Sequence, residues 1–259
     1  MSYLEFEDKK IHYTVKGTGK PILFGHSYLW DIHMWDPVID ILKDSFTCIC
    51  IDLPGHGKSE PVEDINLQKL AFINKSILDE LGFKKIYLAG LSIGAMWGAY
   101  LAYDENIEVE KFAVINSSLL PEPEDTKQLY LGMLETIDQA GCIPQPVIDH
   151  IAPGFFSEKY RAGLLEDFRK SLSDIPKENI KTVAEIGKAF VLRENLCDLL
   201  MSGKTIVISG EGDLYRSVEE GSQMKKILNS DFITIPAGHI SALEIPEKLS
   251  EELGRFFNC

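Results

Sequence analysis

Gly90-Leu91-Ser92-Ile93-Gly94 sets a serine between two glycines. The apolar run Ile86-Tyr87-Leu88-Ala89 leads directly into it. A stretch rich in small residues follows: Gly94, Ala95, Gly98, Ala99 and Ala102. Gly-x-Ser-x-Gly alone is weak, since chance yields it in roughly one chain in ten of this size. The flanking strand and helix raise its specificity, because a nucleophile elbow requires strand, sharp turn and helix in that order. The glycines remove side chains that would collide in the turn. A serine hydroxyl is a poor nucleophile at neutral pH and needs an adjacent base.

Six histidines could serve as that base. His12 falls in an expected strand, His33 just before the first helix, and His150 in a helical region. His56 sits in a turn-rich loop and reads as loop structure. His239 follows the apolar run Phe232-Ile233-Thr234-Ile235 directly, in Pro236-Ala237-Gly238-His239. The end of a strand is where an open α/β sheet presents reactive side chains, so His239 is the expected base. Imidazole needs a carboxylate on its far nitrogen to fix the tautomer and stabilise the imidazolium. Asp213 closes Ser209-Gly210-Glu211-Gly212-Asp213 after the run Thr205 to Ile208 and is the expected acid; Glu211 is its local rival. After the earlier run Phe112 to Ile115 come Asn116, Ser117 and Ser118, with no carboxylate before Glu122.

The elements that must hold these residues follow from periodicity. Residues 2–6 and 10–16 read as a hairpin. Pro21 to Phe24, Phe46 to Ile51, Ile86 to Ala89 and Phe112 to Ile115 are continuous apolar runs, the pattern of strands covered on both faces of a parallel sheet. Leu67, Leu70, Ile73, Ile77 and Leu81 recur at helical spacing, with Asn66 as N-cap and Gly82 just past the end. Strand–helix alternation predicts an α/β class protein with an open, mostly parallel sheet. From Pro121 to about Leu200 no strand is legible, and helices are expected near 128–139, 158–171 and 183–200. The strands then resume. The expected division is a core of residues 1–120 and 201–259, with a helical cap, or lid, of residues 121–200. A final helix, Pro246 to Phe257, carries Leu249, Leu253 and Phe256 on one face.

The chain has 259 residues, 45% hydrophobic and 25% charged, with a formal net charge of −14. That size supports a full core without metal or disulfide staples. An acidic surface repels phosphate backbones and anionic lipid, so neither nucleic acid nor a membrane is an expected partner. The five cysteines are odd in number and lack metal-ligand spacing. Cys48 and Cys50 read as small buried hydrophobes. With no basic-then-apolar N-terminal segment and no span-length apolar stretch, a cytoplasmic location is expected. No metal and no cofactor is expected.

Four motifs in order give the chain a resemblance to the α/β-hydrolase superfamily, in the group of small serine esterases, enol-lactonases and cofactor-free haloperoxidase-like enzymes. The elbow at Ser92 is one. Asp52-Leu53-Pro54-Gly55-His56-Gly57-Lys58-Ser59 resembles the family's Asp-x-x-Gly-x-Gly-x-Ser loop, Gly210 to Asp213 its acid loop, and Gly238-His239-Ile240-Ser241 its histidine loop. The resemblance implies the α/β-hydrolase fold, an eight-stranded, mostly parallel sheet flanked by helices, with a helical cap inserted late in the sheet. It implies a Ser92–His239–Asp213 triad and an oxyanion hole. Relatives carry His-Gly-x after the first parallel strand, where x donates a backbone N–H. Here the order is Gly25-His26-Ser27, so Ser27 and Ile93 are the expected donors, and His26 enters the pocket-lining candidates. Tyr28, Phe155 and Phe156 are the other pocket candidates; Trp30 and Trp35 read as core. The expected reaction is hydrolysis of a small to medium carboxylic ester or lactone through an acyl-enzyme. Carbon–carbon bond hydrolysis and perhydrolysis use the same triad, and a non-catalytic ligand-binding or receptor protein is the reading from another class. Oligomeric state is not legible.

Overall fold

The computed structural model describes residues 2–200 and 203–258. The chain opens with a hairpin, β1 (Ser2–Phe6) and β2 (Lys9–Lys16), then β3 (Lys20–Gly25), α1 (Asp36–Leu42), β4 (Phe46–Ile51), α2 (Leu67–Glu80), β5 (Lys85–Leu91), α3 (Ile93–Tyr103) and β6 (Glu108–Ile115). Four helices follow without a strand: α4 (Glu124–Ala140), α5 (Gln145–Ile151), α6 (Glu158–Ser173) and α7 (Lys177–Val191). The core resumes with β7 (Thr205–Gly210), α8 (Val218–Leu228), β8 (Asp231–Ile235), the short α9 (Ser241–Glu244) and α10 (Pro246–Asn258).

The eight strands form one sheet in the order β1-β2-β4-β3-β5-β6-β7-β8. β2 pairs antiparallel with β1 and β4, and every pairing from β4 to β8 is parallel. Alternation sorts the side chains to two cores. Ile22, Phe24, Cys48, Cys50, Ala89 and Ile115 face α1 and α10. Leu23, Ile49, Leu88 and Val114 face α2 and α3. Burial pushes the Cys48 thiol up to about 12, consistent with an inert core thiol. Cys48, Cys50, Cys142 and Cys197 are free, and Cys259 lies outside the described residues.

Local signals account for the element ends. The Asn66 side chain accepts from the Lys69 N–H, and Gly82 takes φ +77° past the end of α2. Two boundaries correct the sequence reading. The last insert helix is α7, which starts after Pro176 and stops at Val191, so the helix expected over 183–200 begins and ends well before those bounds. Residues Leu196–Leu199 form a separate 3-10 turn capped by Asn195. In α10 the buried face is Leu249, Leu253 and Phe257, a strict four-residue spacing, and Phe256 is only half-buried.

Candidate active site

Ser92 joins β5 to α3 with φ 56° and ψ −119°, a conformation that non-glycine residues rarely hold. Its N–H donates to the Ile115 carbonyl of β6 at 3.0 Å, and its carbonyl accepts from Ser117 Oγ at 2.7 Å. Close packing explains the surrounding glycines. A Cβ at Gly90 would lie 2.5 Å from the Ala95 nitrogen, and one at Gly94 would lie 2.3 Å from the Gly25 carbonyl oxygen. Gly25 therefore belongs to the helix–strand contact beneath the elbow.

His239 follows β8, and its Nδ1 lies 2.9 Å from Asp213 Oδ2 and 3.1 Å from Oδ1. The Asp213 side chain is fully buried. Its Oδ1 also accepts from the Tyr215 and Arg216 N–H groups, at 2.8 and 3.1 Å. Its Oδ2 accepts from Asn116 Nδ2 at 3.1 Å. These donors match the acceptors of an ionised carboxylate. Glu211 points elsewhere: it accepts from Thr234 Oγ1 at 2.9 Å on the surface. Ser92 and His239 line one small cavity of about 90 Å³.

The insert completes that cavity. Tyr130, Leu134, Ile151, Phe155 and Phe190 line it from the insert, and Ser27, Tyr28, Leu29, Tyr215 and Arg216 from the core. Tyr28 and Phe155, expected pocket residues, are both on its wall. Two other expected pocket residues are elsewhere. Phe156 is fully buried, edge-on to Trp30 and Phe168, and belongs to the packing between insert and core. Phe155 ends a 3-10 turn while Phe156 is extended, so the two neighbouring rings diverge.

His26 is the second correction. It is fully buried and does not line the cavity. Its Nε2 accepts from the Leu53 N–H at 2.9 Å, so Nδ1 carries the proton and donates to the Ser27 carbonyl at 2.8 Å. Burial lowers its pKa, consistent with this neutral tautomer. The Ser27 carbonyl also accepts from the Trp30 N–H. A trans peptide is planar with its N–H opposed to its C=O. The clamped carbonyl therefore turns the Tyr28 N–H away from His26. Ser27, the donor expected from the sequence, lines the cavity together with Tyr28.

The Asp52 loop is structural. Asp52 accepts from the Ile32 and Lys58 N–H groups, both at 2.9 Å, and from His12 Nδ1 at 2.7 Å. His56 donates to Pro54 and is buried, and burial lowers its pKa to about 4. His33 pairs with Asp36 on the surface. Among the described residues no group of three or more His, Cys, Asp or Glu is arranged to hold a metal, and no helix is long and apolar enough to cross a membrane.

Sequence reasoning missed two sets of residues. Asn116, in a left-handed turn after β6, binds Asp213 and the Gly238 carbonyl and accepts from Ser241 Oγ at 2.6 Å. Its place after a strand, where an acid was sought and not found, was the available signal. Glu122, Arg193 and Arg216 form a buried ion cluster from three distant segments. Nothing local announces it.

A family described as alpha/beta hydrolase fold matches residues 20–246. The chain is 26% identical over 239 residues to 3-oxoadipate enol-lactonase 1 of Acinetobacter baylyi, covering 91% of this chain and 87% of that one. Among solved structures, a thermophilic esterase from Thermogutta terrifontis superposes with TM-score 0.87 at 24% identity, over 96% of this chain and 93% of that one. The enol-lactonase from Burkholderia xenovorans superposes with TM-score 0.85 at 22% identity, over the whole of both chains. With its eight-stranded sheet and a match running from β3 to the start of α10, this chain belongs to the alpha/beta hydrolase fold family.

Proposed function

We propose that the protein hydrolyses a small to medium carboxylic ester or lactone through an acyl-enzyme on Ser92. The observation that carries this is the His239 Nδ1 contact to the buried Asp213 carboxylate, with Ser92 in a strained turn on the same cavity. Ser92 Oγ attacks the carbonyl carbon, and His239 Nε2 takes the hydroxyl proton. Asp213 holds the Nδ1–H tautomer and stabilises the imidazolium. The carbonyl oxygen gains negative charge in the tetrahedral intermediate. The loop N–H groups of Ser27 and Tyr28, with the Ile93 N–H, are the donors for it. Ile93 is the first residue of α3, and the first N–H groups of a helix have no intrahelical acceptor. His239 then protonates the departing alcohol. Water, activated by the same imidazole, releases the acid.

Residues 121–200 act as the lid in this reading. Their apolar side chains roof the cavity, exclude water and hold the non-reacting part of the substrate. The small cavity favours small molecules over polymers. A screen of p-nitrophenyl esters of graded acyl length and of lactones tests the reading. Turnover that disappears in Ser92→Ala, with an unchanged circular dichroism spectrum, supports it. Turnover that survives in Ser92→Ala rejects it.

A further inference from the structure

The cavity is apolar except for Ser92, His239, Ser27, the tyrosines and one cation, Arg216. Arg216 is almost fully buried, and its side chain belongs to the ion cluster missed by the sequence. Arg216 Nη2 donates to Glu122 Oε1, and Arg193 Nη1 donates to the same oxygen at 2.9 Å. Arg193 also donates to the Phe190 carbonyl at 2.7 Å. Two guanidiniums thus share one carboxylate in a place where Arg193 and Glu122 are 0% and 1% exposed. Glu220, a quarter exposed, forms an ion pair with Arg216 Nη1 at 3.6 Å, longer than a hydrogen bond. Asp213 touches the backbone N–H of Arg216 and is engaged by His239.

The buried trio carries one positive charge in excess, met on the solvent side by the longer Glu220 pair. Arg216 Nε, Arg193 Nε and Arg193 Nη2 are buried donors without a protein acceptor. Burial, and then the neighbouring Arg216 charge, lower Arg193 to about 10. A buried cation with unmet donors is costly unless an anion joins it. An apolar cavity wall offers no reason to keep such a group, whereas a planar guanidinium matches a carboxylate.

We infer that Arg216 binds a carboxylate on the substrate, so that the protein acts on esters or lactones that carry a second, free acid group. The ester-hydrolase reading above is assumed here. Glu122 and Arg193 are positioning residues: Glu122 precedes α4 and Arg193 follows α7, and together they hold the guanidinium from the insert side. The anion supplies a close, buried partner, where Glu220 offers only a longer and more exposed one. A neutral substrate of the same shape supplies none.

Matched pairs test the inference. Monomethyl glutarate against methyl pentanoate places the carboxylate on the acyl side. γ-Acetoxybutyrate against butyl acetate places it on the alcohol side. In each pair a carboxylate replaces a methyl group and nothing else changes. For the native protein, kcat/KM is expected to favour the acid by about tenfold or more in at least one pair, the size of one buried charge-assisted hydrogen bond. Arg216→Met should abolish that ratio, and Arg216→Lys should keep part of it. Arg216→Met leaves Glu122 paired with Arg193, so the cluster becomes neutral. Calorimetric titration of Ser92→Ala with the same pairs needs no turnover and should show the same order of binding, lost in Ser92→Ala/Arg216→Met. Equal handling within both pairs overturns the inference, as does a preference that persists in Arg216→Met. Labelling of Ser92 by a fluorophosphonate separates the two readings. Without labelling the hydrolase reading fails, while the titration still decides whether Arg216 takes a carboxylate.

Discussion

Asn116 Nδ2 lies 3.1 Å from Asp213 Oδ2 and 3.1 Å from the Gly238 carbonyl, so one amide ties the acid loop to the histidine loop. Its own oxygen accepts from Ser241 Oγ. The amide is held at three points. Asn116→Ala should therefore loosen the His239–Asp213 contact without removing either partner. kcat is expected to fall by about tenfold to a hundredfold, with stability lowered by about 1–3 kcal/mol for the stranded polar groups. Wild-type kcat in a stably folded Asn116→Ala would show that this bridge does not position the triad.

The two carboxylates of the acid loop differ in kind. Asp213 is buried among four donors, while Glu211 holds a surface threonine. Asp213→Asn should lower kcat by up to about four orders of magnitude, because the amide favours the wrong histidine tautomer. Glu211→Gln should stay within about twofold of wild type. Steady-state kinetics with one ester decides, and a reversed order of damage would move the acid to Glu211.

His56 is buried and neutral, with its pKa lowered to about 4 by burial and by the nearby His26. The unfolded chain takes up its proton near the ordinary value of about 6.5. Stability from this residue is therefore complete above about 6.5 and lost as pH falls toward about 4. The loss is on the order of 3 kcal/mol. Urea midpoints measured from pH 7 to pH 4 should drop, and the drop should be smaller in His56→Gln. An equal slope in both proteins would remove His56 from the explanation.

Neighbouring phenylalanines should behave differently. Phe155→Ala widens the cavity beside His239 and should shift chain-length preference toward longer acyl groups. Phe156→Ala leaves a hole against Trp30 and Phe168 and should cost about 3–5 kcal/mol of stability with little change in preference. A substrate series and a thermal melt on each variant check this. Identical effects of the two substitutions would contradict the assignment.

The residues proposed as the triad could be singled out because each follows its own strand, and strand ends are local sequence features. The sheet was legible for a similar reason: runs such as Phe46 to Ile51 are apolar but for Thr47 and buried throughout, because both faces are covered. What escaped depends on distance or on single dihedral angles. Asn116 finds Asp213 across 97 positions, and Arg216 finds Glu122 across 94. His26 sits next to the pocket in sequence but turns its ring into the core, where Leu53 and Ser27 saturate it. Phe155 and Phe156 differ only by where a 3-10 turn ends. The start of α7 was readable from Pro176 and from Ile180, Val183, Ala184, Gly187 and Val191, which are spaced as one buried face.

The central claim is that Ser92 is an activated nucleophile. A fluorophosphonate probe reacts with serines that have a working base and oxyanion site, whatever the natural substrate. Mass spectrometry of the labelled, digested protein should find the adduct on the peptide containing Ser92. Labelling should slow strongly in His239→Ala and vanish in Ser92→Ala. No adduct on the folded native protein, or an adduct on another residue with Ser92 untouched, would contradict the account.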